Sequence, residues 1–349
     1  MDFQLSDDQR ALRSGMRDLL GAVFDRDRLR AAVERDGALD RSLWRELGAA
    51  GFFALRLPEE AGGVGLGLPE AVLIFEEAGR ALLPGPLVAT HLAAGLVKGA
   101  AEGEAVVTAA AGELPVAHLA EADAVLVVGA EPPAGEATGA ESLTGEALRA
   151  FVAAARPVRS IDPLTPLHSA PADAERAPAA TERTPAHAGR LRFEAALLTA
   201  AEQLGSAART TEEAVQHAGS REQFGSPVGA FQAVKHLCAD MLARTEPARA
   251  AVYAAAVTGD PVEIAAAKLL ADEAAVRNAR DCLQIHGGMG FTWEADVHLH
   301  LKRAWLRAAS WLTGAGAEEL LAADLGAAGR LPRSSAAPAR PVPEAGGGG

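Results

Sequence analysis

Residues 284–294 place a glutamine, a histidine and a glutamate around three closely spaced glycines, at the end of a long alanine-rich helical pattern. Gly287, Gly288 and Gly290 fall within four positions. Because glycine adopts backbone conformations that other residues resist and has no Cβ, such a turn can bring backbone N–H groups against a phosphate or a planar ring. The alternative interpretation is an ordinary helix end that is capped by glycine.

A second group of residues with suitable chemistry lies about sixty positions upstream. Residues 221–225 read Arg-Glu-Gln-Phe-Gly, and Phe231 and Gln232 follow them. The planar guanidinium of an arginine pairs well with phosphate oxygens. Taken alone, these residues are better explained as a solvated cation, a core aromatic ring and a surface amide. Only the combination of the two groups points further.

The two groups together resemble the acyl-CoA dehydrogenase family. Three other stretches look like landmarks of that family: residues 1–9, 58–65 and 76–80. The resemblance covers about residues 1–100 and 188–305. It implies a mainly α fold with a small β segment, in which an N-terminal helical domain and a shortened middle β domain precede a C-terminal four-helix bundle. It also implies FAD as the cofactor and an acyl-CoA thioester as the substrate.

In this family the bundle motifs serve FAD that is bound by the neighbouring subunit. The resemblance therefore implies that Arg221 contacts the FAD pyrophosphate, that Phe224 packs near the adenosine end and that Gln232 hydrogen-bonds to the cofactor. It also implies that residues 284–288 let the backbone approach the dinucleotide across the subunit interface. The predicted cofactor-binding residues are Arg221, Phe224, Gln232, Gln284, His286, Gly287 and Gly288.

The segment 104–187 departs from the family pattern. In the family, the middle β domain carries a run of the Thr-Glu-Pro/Gly-Ser type and a strand centred on tryptophan, and both hold the flavin ring. We find neither in this segment, which contains no tryptophan and no tyrosine and is short by family standards. The comparison predicts a chain that does not hold a flavin of its own through this domain.

The catalytic base is a second departure. Many family members place a glutamate shortly after the glycine-rich turn, whereas residues 302–314 contain no carboxylate here. Other members carry the base on the first bundle helix, at a position that Ala195 occupies in this chain. Glu194 is adjacent and Glu202 lies about two helical turns further on, but one residue along a helix is a rotation of about 100°. A charged helix face explains both glutamates better, so the catalytic residue is left unassigned.

Three hypotheses for function follow. In the first and preferred one, the chain is the non-catalytic, cofactor-completing subunit of a heteromeric acyl-CoA dehydrogenase, such as a heterotetramer with a homologous partner chain. In the second, it is a self-sufficient acyl-CoA dehydrogenase, in a homo-oligomer, with Glu194 or Glu202 as its base. In the third, it is a helical scaffold that needs no cofactor.

The elements that position these residues follow from apolar periodicity. The predicted N-terminal helices cover residues 5–36, 41–49, 68–83 and 88–99. Ser6 and Gln9 have the spacing of a capping box at the start of the first helix. Short β-branched runs between residues 104 and 129 predict strands, and residues 130–187 predict short strands and long loops.

Helical periodicity returns near residue 190, and four long helices with short connections indicate a bundle. These helices are predicted at residues 191–219, 230–257, 261–286 and 294–325. Pro261 falls near the first turn of the third, where helices accept proline. The predicted domains are an N-terminal helical domain, a middle β domain, the bundle and a disordered tail, at residues 1–103, 104–187, 188–330 and 331–349.

Composition argues against several classes of function. The net charge is −13 and no Lys/Arg-rich run is present, which argues against nucleic-acid binding. Metal-ligand spacing is absent, because His298 and His300 would point in different directions on a helix. The first residues lack the pattern of a signal peptide, and no uncharged apolar run reaches the roughly 18 residues of a membrane span. With two cysteines, Cys238 and Cys282, predicted to be reduced and buried, we expect a cytoplasmic protein.

Overall fold

The N-terminal region begins with two helices where the apolar pattern predicts one. The computed structural model describes residues 4–112, 114–128, 139–170 and 182–328. Helix α1 (Asp7–Val23) opens with the predicted capping box, in which the Ser6 hydroxyl accepts from the Gln9 N–H and the Gln9 side chain accepts from the Ser6 N–H. The prediction of one helix over 5–36 is wrong, because the chain turns at the buried Phe24 and Asp25 caps a second helix, α2 (Arg26–Glu34).

Three further helices complete this region: α3 (Arg41–Ala49), α4 (Leu68–Arg80) and α5 (Leu87–Leu92). The predicted helix over 88–99 is too long, since turns follow Leu92. The core between these helices contains a chain of aromatic rings, with centroids 4.7 Å apart for Trp44 and Phe53 and 5.1 Å apart for Phe52 and Phe75. These rings give the N-terminal region a well-packed centre despite the low aromatic content of the whole chain.

The middle segment contains two small sheets and a helix that the sequence did not indicate. In the first sheet, β1 (Val107–Ala111) pairs in parallel with β3 (Ala124–Val128), and the antiparallel strands β4 (Gly139–Leu143) and β7 (Glu182–His187) follow. The second sheet has the order β2 (Val116–Ala117), β6 (Leu167–Ser169), β5 (Arg156–Val158). The strands predicted between 104 and 129 are confirmed. Helix α6 (Gly145–Ala154) packs Ala147 and Phe151 below the first sheet, in a stretch predicted to be strands and loops.

The C-terminal half is helical, as predicted, with α7 (Ala188–Ser220), α8 (Gln232–Thr258), α9 (Pro261–His286), α10 (Val297–Ala308) and α11 (Gly314–Ala328). A short hairpin of β8 (Glu222–Gln223) and β9 (Ser226–Pro227) joins α7 to α8. The predicted helix over 294–325 is wrong, because the chain turns at Trp311, where φ is +63°. The Thr313 hydroxyl then accepts from the Gly316 N–H at the start of α11.

A close crossing of α4 and α7 ties the N-terminal region to the bundle. A Cβ at Gly79 would lie 2.0 Å from the backbone oxygen of Glu202, and one at Gly205 would lie 1.8 Å from that of Glu76. Only glycine allows the two backbones to approach so closely. The crossing therefore fixes the position of Glu202 relative to the N-terminal helices.

Several sequence predictions concern features away from this crossing. Among the helices that the structure describes, none is both long and apolar enough to cross a membrane. In the same residues no three His, Cys, Asp or Glu side chains are grouped as metal ligands. Both cysteines are free, and only Cys282 is buried, so the prediction of two buried thiols is wrong for Cys238. The predicted disordered tail, 331–349, lies outside the described residues.

Candidate functional site

The hairpin between α7 and α8 presents the Arg221–Gly225 motif to solvent. Phe224 has φ +54° and Gly225 has φ +79°, so the turn uses the left-handed conformation at two successive positions. The side chain of Phe224 is 92 % exposed, and its only ring contact within the described chain is edge-to-face with Phe231, at 6.1 Å between centroids. The prediction that places Phe224 in the open for a ligand is consistent with this geometry, and the alternative of a core side chain is not.

Two polar side chains of the motif are unengaged. Arg221 is exposed, and its guanidinium forms no hydrogen bond or ion pair with the residues that the structure describes. Gln232 is the first residue of α8 and is exposed, and its amide likewise has no partner in the described chain. The backbone around them is firmly held, since the Arg221 N–H donates to the His217 carbonyl and the Arg221 carbonyl accepts from the Val228 N–H. Donor groups are thus presented on a fixed frame.

The glycine-rich turn after α9 lies beside the end of α7, because a histidine from each helix stacks on the other. Helix α9 ends at His286, whose ring stacks on His217 with 4.0 Å between centroids. His286 Nδ1 lies 2.8 Å from the Cys282 carbonyl oxygen, which fixes the ring against its own helix. Burial, His286 and Arg221 together lower the pKa of His217, which favours a neutral ring in the stack. The ends of α7 and α9 therefore lie side by side, and the two predicted motifs share one surface.

The turn itself leaves room for a ligand. Gly287 has φ +61°, and a Cβ at Gly287 or at Gly288 would meet no described atom within 4 Å. Gln284 is exposed on the preceding turn, and its carbonyl accepts from the Gly287 N–H. The cofactor-facing surface, as we name it, consists of the seven predicted residues Arg221, Phe224, Gln232, Gln284, His286, Gly287 and Gly288. It combines a cation, two amides, an exposed ring and open backbone.

A second candidate site is a pocket at the place where the three regions meet. This interior cavity, as we name it, has a volume of about 170 Å³ and is partly open to solvent, and residues of the N-terminal helices around α5, of β1 and β2, and of α7 and α10 line it. Glu202 on α7 and Arg307 on α10 form an ion pair at its wall, with 2.7 Å between the carboxylate and guanidinium. Leu87, Leu306 and Trp311 contribute apolar surface. The lining of the cavity thus combines charged and apolar side chains.

A second buried ion pair, between Arg303 and Asp162, includes another residue that lines the cavity. The Arg303 guanidinium donates to the Asp162 carboxylate and to the Leu83 carbonyl, and Asp162 also accepts from the Thr165 hydroxyl. Burial raises the pKa of Asp162, but the charge of Arg303 and these hydrogen bonds outweigh burial and lower it. For Glu202 burial dominates, so its pKa is raised even though Arg307 lies beside it. The pKa values of the two carboxyls are therefore shifted in opposite directions.

The other glutamate weighed as a base lies elsewhere. Glu194 is not among the residues that line the cavity. Its carboxylate is 2.8 Å from both Arg56 and Arg190. Burial raises the pKa of Glu194, but these two arginines outweigh burial and lower it, so the group is a poor proton acceptor. Glu318 and Glu319 are exposed on α11, which agrees with a solvated helix face.

Sequence reasoning missed the cationic side of the cavity. Arg303 and Arg307 are 4 % and 8 % exposed at the side chain, and they occupy one face of α10 at a spacing of four. Buried arginine is rare unless it is paired. Two arginines at a spacing of four on a helix, on the same face as His300, were the available signal. Their partners could not be read from the sequence, because Asp162 lies 141 residues from Arg303.

Comparison with known proteins identifies the family. The N-terminal domain model of acyl-CoA dehydrogenases matches residues 6–102, and the C-terminal domain model matches residues 189–329. The acyl-CoA dehydrogenase IpdE2 of Mycobacterium tuberculosis is 36 % identical over 79 % of this chain and 84 % of its own length. The chain belongs to the acyl-CoA dehydrogenase family. The resemblance stated from the motifs is confirmed.

Further relatives agree with this assignment. The acyl-CoA dehydrogenase FadE34 of the same organism is 35 % identical over 85 % of this chain, which spans only 46 % of that longer protein. Among solved structures, a steroid acyl-CoA dehydrogenase described as Tcur3481-Tcur3483 has a TM-score of 0.76 at 24 % identity, with 93 % of this chain and 98 % of that chain covered. The FAD complex of PigA has a TM-score of 0.77 at 20 % identity, with 93 % and 99 % covered. These structures confirm the predicted fold.

The residues present fit FAD at one place and not at the other. On the cofactor-facing surface, unengaged donors surround backbone whose absent Cβ atoms leave open space, as a dinucleotide requires. The interior cavity, at about 170 Å³, is smaller than the roughly 300–1,000 Å³ of pockets that bury drug-sized ligands. Two ion pairs lie at its wall. A flavin ring together with an acyl chain does not fit there.

Proposed function

We propose that this chain is the cofactor-completing subunit of a heteromeric acyl-CoA dehydrogenase. Its cofactor-facing surface grips the FAD of a homologous partner chain, and the complex dehydrogenates an acyl-CoA thioester between the α and β carbons. The observation that carries the proposal is the contrast between the two sites. The surface of the two motifs has free donors and open backbone, whereas the cavity is small and its two arginines are paired with carboxylates.

Each residue of the outer surface has a role in this proposal. Arg221 donates to the pyrophosphate, for which the guanidinium fork is well suited. Gln232 supplies an amide hydrogen bond, Phe224 packs near the adenosine end, and the backbone at Gly287 and Gly288 approaches the dinucleotide. When bound, FAD supplies the acceptor for the hydride that leaves the β-carbon. The frame is rigid because the stacked rings of His217 and His286 join the two helix ends.

The proton acceptor comes from the partner in this proposal. Among the described residues that line the cavity, Glu202 is the only carboxylate, and it is bound to Arg307. A general base must lie within hydrogen-bond reach of the proton it removes. The break between α10 and α11, at residues 309–313, contains no carboxylate. This chain then contributes binding and orientation of the cofactor, and the partner contributes the chemistry at the α-carbon.

A protein partner also accounts for the surroundings of the motif. Large apolar side chains are exposed near it, and they include Phe224, Phe231, Leu242, Met289, Phe291 and Trp293. The first part of α8 is exposed on nearly all sides. Exposed apolar area of this kind marks interaction surfaces. Two of the structural neighbours are described as assemblies of two named components, Tcur3481-Tcur3483 and the ChsE4-ChsE5 complex of Mycobacterium tuberculosis, which supports a hetero-oligomer.

The test compares flavin content in two preparations. The chain purified alone should show no flavin absorption, and the chain co-expressed with a longer homologous acyl-CoA dehydrogenase should yield a yellow complex that oxidises acyl-CoA. Arg221→Ala should lower the flavin content of the complex several-fold, and Arg221→Lys should restore it in part. Arg149→Ala, which removes an exposed arginine on α6, is the matched control and should change nothing. A yellow, active preparation of this chain alone would refute the proposal.

One observation favours a second function. Glu202 lies at the cavity, and burial raises its pKa, which are properties of a catalytic base. A self-sufficient dehydrogenase would use this carboxylate, and Glu202→Gln would then abolish turnover by the chain alone while Glu194→Gln would not. If Arg221→Ala left both flavin content and activity of the complex unchanged, a cofactor-free scaffold would instead be favoured.

A further inference from the structure

Two arginines of the N-terminal helix α2 hold the segment that follows the glycine-rich turn. Arg26 and Arg30 are four residues apart, so they lie on one face of α2. Arg26 Nε lies 2.5 Å from one carboxylate oxygen of Asp296, and Arg26 Nη2 lies 2.8 Å from the Glu294 carbonyl oxygen. Arg30 Nη1 lies 3.1 Å from the other oxygen of Asp296, and Arg30 Nη2 donates to the Trp293 carbonyl. The end of this segment is therefore fixed by a region more than 260 positions away in the sequence.

Asp296 lies where its side chain would ordinarily serve its own helix. It is the N-cap residue of α10, and an aspartate at this position normally accepts from backbone N–H groups of the first turn. Here its side chain makes no capping hydrogen bond, and both carboxylate oxygens accept from α2 instead. The residue thus connects the C-terminal half to the N-terminal helices rather than stabilising the start of α10.

The glycine-rich turn needs an anchor at each end to keep one conformation. Glycine has wide backbone freedom, and a Cβ at Gly287 or Gly288 would meet no described atom within 4 Å, so packing does not fix these positions. The first end of the turn is held by the stacking of His286 on His217. The second end is held by the contacts of Asp296 with α2.

The same contacts also order an exposed ring beside the turn. Trp293, whose carbonyl accepts from Arg30, is 55 % exposed, and its ring stacks on His298 with 4.9 Å between centroids. The Lys302 ammonium lies 4.7 Å from the centre of the same ring. Burial, with the charges of Lys302 and Arg30, lowers the pKa of His298 to about 4, so this histidine is a neutral platform for the tryptophan.

The arginines of α2 act on geometry more than on overall stability. The Arg26 side chain is 62 % exposed, and water screens so exposed an ion pair. The Arg30 and Asp296 side chains are less exposed, at 21 % and 19 %. Two planar guanidinium groups that meet one carboxylate and two carbonyls nevertheless define a single position for the segment, because such forks are directional.

We propose that Arg26 and Arg30 are positioning residues for the cofactor. By holding Asp296, they keep the backbone at Gly287 and Gly288 in the conformation that receives the dinucleotide. In this role they act through the segment and do not contact FAD. The N-terminal helices thereby take part in a site whose other residues belong to the C-terminal half. This inference rests on the proposed function, because it concerns FAD held between this chain and its partner.

The first measurement uses the chain alone and involves no cofactor. In Arg26→Met/Arg30→Met, amide hydrogen exchange over residues 289–296 should be at least about fivefold faster than in the parent chain, because the segment opens more often. Exchange in α9 should be unchanged, and the melting temperature should fall only slightly. Arg28→Met is the matched control, since Arg28 lies on the same helix and its contacts stay within the N-terminal region. It should leave the exchange of the segment as in the parent chain.

The second measurement uses the complex with the homologous partner chain. The double methionine variant should weaken the affinity of the flavin-free complex for FAD about tenfold, through faster release, because a site with loosened supporting contacts binds less well. The association of the two chains should stay as in the parent complex. Arg26→Lys/Arg30→Lys should recover part of the affinity, because lysine retains the charge without the planar fork. Arg28→Met should bind FAD as the parent complex does.

Several outcomes would overturn the proposal, and each has a distinct cause. Unchanged exchange over residues 289–296 would show that the two arginines do not hold the segment. Faster exchange together with the parent affinity for FAD would show that the cofactor does not need the segment held. An equal loss of affinity in Arg28→Met, or weaker association of the chains, would assign the effect to general damage. If the parent complex itself binds no FAD, the proposed function fails and this role fails with it, before any variant is compared.

Discussion

The cofactor-facing surface and the interior cavity use the same types of residue in opposite ways. At the surface, Arg221 is exposed and has no partner in the described chain, and Phe224 is 92 % exposed. At the cavity, Arg303 and Arg307 are nearly fully buried, and each is paired with a carboxylate. A cation in water needs no partner, whereas a buried cation is tolerated only when it is paired. The arginines of the cavity are therefore bound into the fold, and those of the surface are free to bind something else.

The two sites also differ in whether their geometry is explained by contacts within the chain. The outer site retains backbone geometry that has no use within the chain, such as φ +54° at Phe224 and φ +61° at Gly287. At the inner site, Asp162 and Glu202 hold the arginines of α10 in place. A chain that keeps one half of a site and fills the other is expected to act with a second chain. The following variants test each side of this comparison, beginning with the largest effect.

The largest effect is expected for Arg303→Met. This change leaves the Asp162 carboxylate buried and unpaired, which should cost about 3–5 kcal/mol in the free energy of unfolding. Arg221→Ala removes an exposed cation without a described partner, so its effect on unfolding should be close to zero. Urea denaturation of the two variants beside the parent chain measures both values. Equal destabilisation would contradict the division into a structural and a ligand-binding arginine.

The sequence predicted those parts of the fold that are set by neighbouring residues, such as helix ends, and missed those that are set by tertiary packing. Helix α9 was predicted at both ends, because Pro261 suits its first turn and glycine follows His286, and in the structure the Asp260 side chain caps its start. The breaks at Phe24 and Trp311 were missed, because the apolar pattern continues through them and tertiary packing decides the turn. Helix α6 was missed because the segment around it is rich in glycine and proline. The predicted domain limits remain predictions.

The site divides in the same way. The seven predicted cofactor-binding residues come from family motifs that are contiguous in sequence, and the stacking of His217 on His286 brings the two motifs side by side in the structure. The pairs at the cavity join residues that are 105 and 141 positions apart. The apolar periodicity of a sequence gives no information about ion pairs between residues so far apart. Whether the seven residues bind FAD remains a prediction.

Two glycines provide the second comparison. Gly205 lies at the crossing of α4 and α7, where a Cβ would fall 1.8 Å from the Glu76 carbonyl oxygen, so Gly205→Ala should destabilise the chain by about 1–3 kcal/mol. A Cβ at Gly288 meets nothing within 4 Å. Gly288→Ala should therefore leave thermal unfolding of the chain unchanged and lower the flavin content of the complex. If Gly288→Ala kept full flavin content, the open backbone would not be a cofactor contact.

The third comparison uses pH, and it distinguishes the two glutamates by sign. The folded pKa of Glu202 is raised above the ordinary 4.5, so the folded state holds this proton more tightly than the unfolded state. As pH rises from 4.5 through the folded pKa, the parent chain should lose stability relative to Glu202→Gln. The measurement is the unfolding free energy of both proteins across this range.

Glu194 should show the opposite sign. Its folded pKa is lowered below 4.5, so the folded state releases this proton first. As pH falls from 4.5 through the folded pKa, the parent chain should lose the stability that ionised Glu194 contributes, and Glu194→Gln should not. Parallel curves for the two glutamine variants would show that Arg307 compensates Glu202 as fully as Arg56 and Arg190 compensate Glu194.

The smallest effect is expected at Phe224. Because this residue has φ +54°, Phe224→Asn removes the ring with a residue that tolerates the left-handed conformation, and Phe224→Tyr retains the ring. Stacking of an aromatic side chain on a base contributes about 1–3 kcal/mol. The ring here is held on one side only, by Phe231, so we expect the low end of that range, about a fivefold weaker affinity of the complex for FAD in Phe224→Asn. Fluorescence titration of the flavin-free complex measures this constant. An unchanged constant for Phe224→Asn, together with weaker association of the two chains, would assign the ring to the subunit interface and leave Arg221 and the glycine turn as the cofactor contacts.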